Sequence, residues 1–164
     1  LADDEDRPPS ANMSYDELPD DLKDLNRANV QHILTKTDAI GYALVAARSD
    51  DPPFGFPGRH LEYLAEMEHE RWILQKLVQG YCYEPEGPDG ERPPMTNPNL
   101  MPWEELTAEE RAKRYGEDAD KVASGVLPES VKRFDRDFVL AIPAILAKAG
   151  YTLVKLEDAT EDPE

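Results

Sequence analysis

The chain has 164 residues, 40% of them hydrophobic, which suits one globular domain with a real core and falls short of two independent ones. Eighteen Lys and Arg stand against 35 Asp and Glu, a net charge of −17, which excludes a broad nucleic-acid polymer surface because such a surface needs many cations against phosphates. Apolar runs last only a few residues and Cys82 is alone, so no bilayer span, intramolecular disulfide framework or cysteine zinc knuckle is expected; the reading is a cytoplasmic protein without direct membrane contact.

Residues 1–12 carry a net −3 and residues 155–164 a net −4, which marks 1–13 as an acidic disordered arm and 156–164 as an acidic tail. A single domain is left over 14–155, and the opening residue Leu1 suggests a piece of a longer protein. Pro19, Asp20 and Asp21 suit the first turn of a helix, whose apolar positions Leu22, Leu25, Val30, Ile33, Leu34, Thr37 and Ile40 run to a stop at Gly41. Tyr42–Val45 is short enough to read as a strand. Residues 49–58 form a Pro/Gly-broken loop with two exposed-looking side chains, Phe54 and Phe56. A long helix from about Arg59 to Gln79 is apolar on more than one face, which predicts the central, most buried element. Tyr81–Tyr83 reads as a short strand, and Glu84–Asn99 as an ordered but irregular loop with five prolines. Thr107 and Glu110 have capping-box spacing and open a short helix toward Arg114. The last helix, Pro128 to Ala149, contains Pro143, which predicts a kink or break, and a strand Tyr151–Lys155 follows Gly150.

Residues 18–45 and 127–154 align without a gap at an offset of 109 and share Leu18/Leu127, Pro19/Pro128, Lys23/Lys132, Arg27/Arg136, Val30/Val139, Ile33/Ile142, Gly41/Gly150, Tyr42/Tyr151, Leu44/Leu153 and Val45/Val154. Ordinary residue usage would give roughly two identities over such a length. Upstream, Tyr15-Asp16-Glu17-Leu18 is echoed by Trp103-Glu104-Glu105-Leu106, as if the second copy had been opened by an insertion at the Glu-Leu step. The predicted fold is therefore mainly α with short β strands, built from pseudo-symmetric helical repeats: a half-repeat over 14–47 and a full repeat over 58–155.

Glu66-Met67-Glu68-His69-Glu70-Arg71-Trp72 is the densest chemical cluster. A zinc-protease motif would need His at position 73, which is Ile73, and a di-metal bundle would need a second Glu-x-x-His, so no metal ligand is assigned. With no nucleophile elbow and no glycine-rich phosphate loop, no catalytic residue and no cofactor are assigned either. Recognition of a flat ligand fits better. Trp72, Tyr81, Tyr83 and Trp103 lie about the helix-to-loop junction with Lys76 near them, and Arg27 and Arg136 hold one slot in both repeats. Rings that stack a base and cations that meet phosphates are what a nucleotide pocket requires. The same residues have a structural reading, with the tryptophans as core, the arginines paired to acids and His69 locking a loop.

The run from Ala65 to Leu106, followed by residues 132–151, resembles the ryanodine-receptor repeat (RyR) domain. The matching positions are Ala65, Glu66, His69 and Trp72, then Lys76, Gly80, Tyr81 and Tyr83, then Pro98, Leu100, Pro102, Trp103 and Leu106, and finally Asp135, Arg136, Leu146, Gly150 and Tyr151. Residues 14–42 are similar to the closing half of a preceding repeat. The resemblance implies a helical, non-enzymatic, prokaryotic-type sensor domain in a larger signaling protein. Its partners would be a nucleotide-like small molecule at the inter-repeat seam and an attached effector or dinucleotide-binding domain. Trp72 is the implied base-stacking residue, with Lys76, Arg27 and Arg136 toward phosphates and His69, Tyr81, Tyr83 and Trp103 around them. The chain departs from the family at Asn97, where His is usual, at Glu84, where Gly is frequent, and in an insertion over 107–126. The first half lacks its own His-x-x-Trp helix, so Phe54 or Phe56 would have to complete a second aromatic wall. The alternative is a protein-interaction or scaffold module without a small-molecule ligand.

Overall fold

The structure, a computed structural model, describes residues 13–156; apart from Met13 and Leu156, the acidic arm and tail lie outside the described residues. Four helices and two strands follow the order α1 (Asp20–Ala39), β1 (Tyr42–Ala46), α2 (Gly58–Val78), α3 (Ala108–Tyr115), α4 (Glu129–Lys148) and β2 (Tyr151–Lys155). The architecture is mainly α, with one two-stranded antiparallel sheet. Among the described residues, no helix is long and apolar enough to cross a membrane.

The duplicated segments take the same shape at the same offset of 109. Each helix has 20 residues, follows a proline (Pro19, Pro128) and ends before a glycine with positive φ, 74° at Gly41 and 81° at Gly150. A side chain at that left-handed position would be strained, which is why glycine stands in both copies. The two strands pair with each other, Tyr42 with Lys155, Leu44 with Leu153 and Ala46 with Tyr151. The register is thus centred on the duplicated Leu44/Leu153 pair, and a twofold operation about that pair exchanges the two strands.

Two core clusters flank α2. The larger joins Ile33, Leu64, Ala65, Trp103, Val139, Ile142, Leu146 and Leu153, so α1, α2, α4 and β2 meet in it. The smaller joins Ile73, Leu77, Leu100, Tyr115 and Val122 and is closed by the inserted segment. That segment returns to its starting point: Leu127 N–H donates to the Pro102 carbonyl at 2.9 Å, and Ala123 N–H to Leu100 at 2.9 Å. Within it, Thr107 and Glu110 form both halves of the expected capping box on α3. α2 packs chiefly on α4 and only lightly on α1.

Three local expectations are corrected. Tyr81–Tyr83 is not a strand; Cys82 makes one isolated bridge to Thr96. The facing loop holds Pro93, Pro94 and Pro98, which lack the N–H groups a ladder needs. Of the kink or break expected at Pro143, the break is absent: α4 is one helix through it, with Val139, Ile142 and Leu146 buried on either side so that packing offsets the missing donor. Phe54 and Phe56 are half-buried against the larger core, in an edge-to-face run with Tyr42 at 5.4 and 5.2 Å between centroids.

Candidate functional site

Buried charge holds the seam where α1 meets α2. Lys36 on α1 is 0% exposed, and its ammonium donates to Glu68 on α2 at 2.6 Å. Arg71, one turn along α2, donates to the same carboxylate through Nε and Nη2 and reaches Gln75 at 2.7 Å, so Glu68 balances two cations. Burial pushes the Lys36 pKa down, opposed by Glu68. Lys36 also donates to His32 Nδ1 at 2.8 Å. An ammonium can only donate, so the His32 proton sits on Nε2. Burial, then the Lys36 charge, lowers the His32 pKa.

On the α4 side of α2, His69 is buried and doubly tied. Its Nε2 lies 2.8 Å from the Met101 carbonyl and its Nδ1 3.2 Å from Asp135 on α4. The carbonyl can only accept, so Nε2–H donates to it, and Nδ1 faces Asp135, whose pKa burial raises against the opposing effect of His69. His69 is therefore a fastener between a loop, α2 and α4.

The candidate ligand residues fall into three groups. Trp72 is half-buried, stacks on His69 with centroids 5.6 Å apart and planes 25° apart, and packs with Tyr81 and Tyr83 against the smaller core. Lys76 joins this group with its ammonium 4.4 Å from the Tyr81 ring centroid. Trp103, 4% exposed, lies 6.0 Å from His69 under Lys132 and Arg136, at 4.9 and 5.5 Å, and so holds the surroundings without a free face. Arg136 is bound at 2.6 and 2.8 Å to Glu62 and also to Glu129, and those carboxylates push its pKa up. Arg27 belongs to neither group: it pairs with Asp24 at 2.7 Å and lies 5.9 Å over the Tyr15 ring. The two duplicated guanidinium groups thus face separate acids, and no shared phosphate cradle is formed between them.

An open groove of about 410 Å³ lies along the seam, lined by His32 of α1, Tyr63, Glu66, Met67, Glu70, Arg71 and Leu74 of α2 and Arg114 of α3. Tyr63 and Leu74 are exposed, and Arg114 reaches Glu70 at 3.0 Å and Glu66 at 3.6 Å. Burial raises the Glu66 pKa, with Glu104 and Glu70 adding to the effect. Tyr115 donates to Glu70 at 3.0 Å. The lining carries two arginines and two glutamates, local neutrality in a chain of net charge −17. Trp72, Lys76, Tyr81 and Tyr83 do not line this groove. Sequence reading did not gather this groove because its residues come from three helices. One signal was available: Lys36 occupies the slot of Ile145 in the other copy, and a cation at an apolar repeat position marks a buried partner.

Among the described residues, no three His, Cys, Asp or Glu side chains are grouped to hold a metal ion. No protein-family model matches the chain, no curated protein matches its sequence and no solved structure matches its fold.

Proposed function

We propose that the chain is a non-enzymatic ligand-sensing domain of the RyR type, built from tandem repeats and belonging to a larger regulatory protein. It binds a nucleotide-type small molecule at the seam between half-repeat and full repeat and passes occupancy to an attached effector. The observation that carries this reading is the seam groove. A flat ring fits between Tyr63, Met67 and Leu74, exocyclic amines can donate to Glu66 or Glu70, and Arg114 is the exposed cation for a phosphate. Local neutrality lets an anion approach despite the acidic whole, since distant charge is screened within about 10 Å. Signal transfer follows from the seam itself: α1 rests lightly on α2 above a buried ion pair, so a ligand touching both helices biases how they dock.

Calorimetry with ATP, ADP-ribose and cyclic AMP tests the reading. Binding is expected to weaken about tenfold or more in Tyr63→Ala and Arg114→Ala and to persist in Trp72→Phe. Loss in Trp72→Phe alone would move the ring to the Trp72 platform, and silence with all three ligands would reject nucleotide sensing. A second reading, a protein-interaction module, is favoured by one observation: Val30 and Leu34 on α1 are bare apolar side chains.

A further inference from the structure

We propose that the outer face of α1 is a socket for a helix of the α2 type supplied by a partner protein. The inference stands apart from the ligand reading and rests on comparing the two copies. In the full repeat, Trp103 lies beneath Lys132 and Arg136, Arg136 grips Glu62 of α2, Asp135 meets His69 of α2, and Val139 is 0% exposed beneath that helix. In the half-repeat the same platform is built. Tyr15 stands where Trp103 does, with Arg27 over its ring at 5.9 Å, and Lys23, the counterpart of Lys132, donates to the Asp16 carbonyl beside it at 3.0 Å.

Only the N-terminal half of this platform is uncovered, since Ile33 and Thr37, the counterparts of Ile142 and Leu146, are buried. Val30, the counterpart of Val139, is 54% exposed, Leu34 one turn on is 55% exposed, and Asn26 stands exposed in the slot of Asp135. Arg27, lacking any counterpart of Glu62, has turned to Asp24 on its own helix. Tyr15, Asn26, Arg27, Val30 and Gln31 line a shallow, open hollow of about 450 Å³ there. No acid lines it, although acids outnumber bases almost two to one in the chain. The occupied copy therefore specifies what the vacant one takes: an amphipathic helix carrying an acid for Arg27 and, seven residues later, an imidazole, the spacing of Glu62 and His69. Burying Val30 and Leu34 would supply apolar contact, and the acid would supply register.

A peptide of residues 58–79, its helix held by a staple on its solvent face, titrated into isotopically labelled full chain tests the socket. Amide shifts are expected at Tyr15, Arg27, Val30 and Leu34. Val30→Asp and Arg27→Glu, both at exposed positions that leave the fold intact, should each weaken binding about tenfold or more. A peptide with Glu62→Arg should recover affinity for Arg27→Glu. Absence of shifts at millimolar peptide would overturn the proposal. So would shifts confined to Val139 and Ile142, which would mean exchange with the native α2, or peptide-free self-association abolished by Val30→Asp, which would make a second copy the occupant.

Discussion

Lys36 and Glu68 show how a single pair sets the energetics of the seam. Both side chains are buried, so removing one partner leaves the other charged and desolvated. Glu68→Gln is expected to cost about 3–5 kcal/mol in urea unfolding, and adding Lys36→Met should recover part of it. His32 adds a pH dependence. Its folded pKa lies below 6.5, through burial first and Lys36 second, with Arg71 acting the same way and Glu68 opposing. In the window between that folded value and 6.5 the unfolded chain binds the proton more readily, so stability rises with pH up to 6.5 and falls on acidification. Unfolding midpoints measured between about pH 5 and 7 should show this slope in wild type and a shallower one in His32→Gln, because His60, lowered by burial and Arg59, contributes in the same direction. At this scale the sequence was only partly legible. His69 as the residue that locks a loop could be read, since its helix precedes a proline-rich turn. The burial of Lys36 was hidden, because a helical stripe drawn through Leu34 places the wrong residue inward.

Among the elements, equal sequence does not mean equal burden. α1 and α4 share length, caps and stops, yet Val139 is sealed under α2 while its counterpart Val30 faces solvent. Val139→Ala should cost about 2 kcal/mol. Val30→Ala should stay within about 0.5 kcal/mol, and thermal unfolding of the two variants separates them. Helix and strand boundaries were legible because Pro19, Gly41, Pro128 and Gly150 punctuate the chain by fixed backbone geometry. The partner of each strand and the unequal covering of the two helices were not, since both depend on where α2 settles. The Tyr81–Tyr83 misreading has the same origin, an apolar run whose neighbour cannot donate hydrogen bonds.

For the whole molecule, charge is the term that scales with size. A chain of net −17 repels itself when compact, and its exposed ion pairs, such as Arg92–Glu86 and Arg133–Asp137, contribute little each. Raising ionic strength should therefore increase the melting temperature: screening relieves the repulsion, while the buried Lys36–Glu68 pair is screened much less. A calorimetric series from low to moderate NaCl checks this, and a falling transition temperature would contradict it. The β1–β2 register carries a consequence for biosynthesis. Tyr42 bonds opposite Lys155, so on the ribosome the early strand must wait, its edge open, until almost all of the described polypeptide has emerged. During that interval the nascent chain is most open to chaperone capture and to pairing with a neighbour.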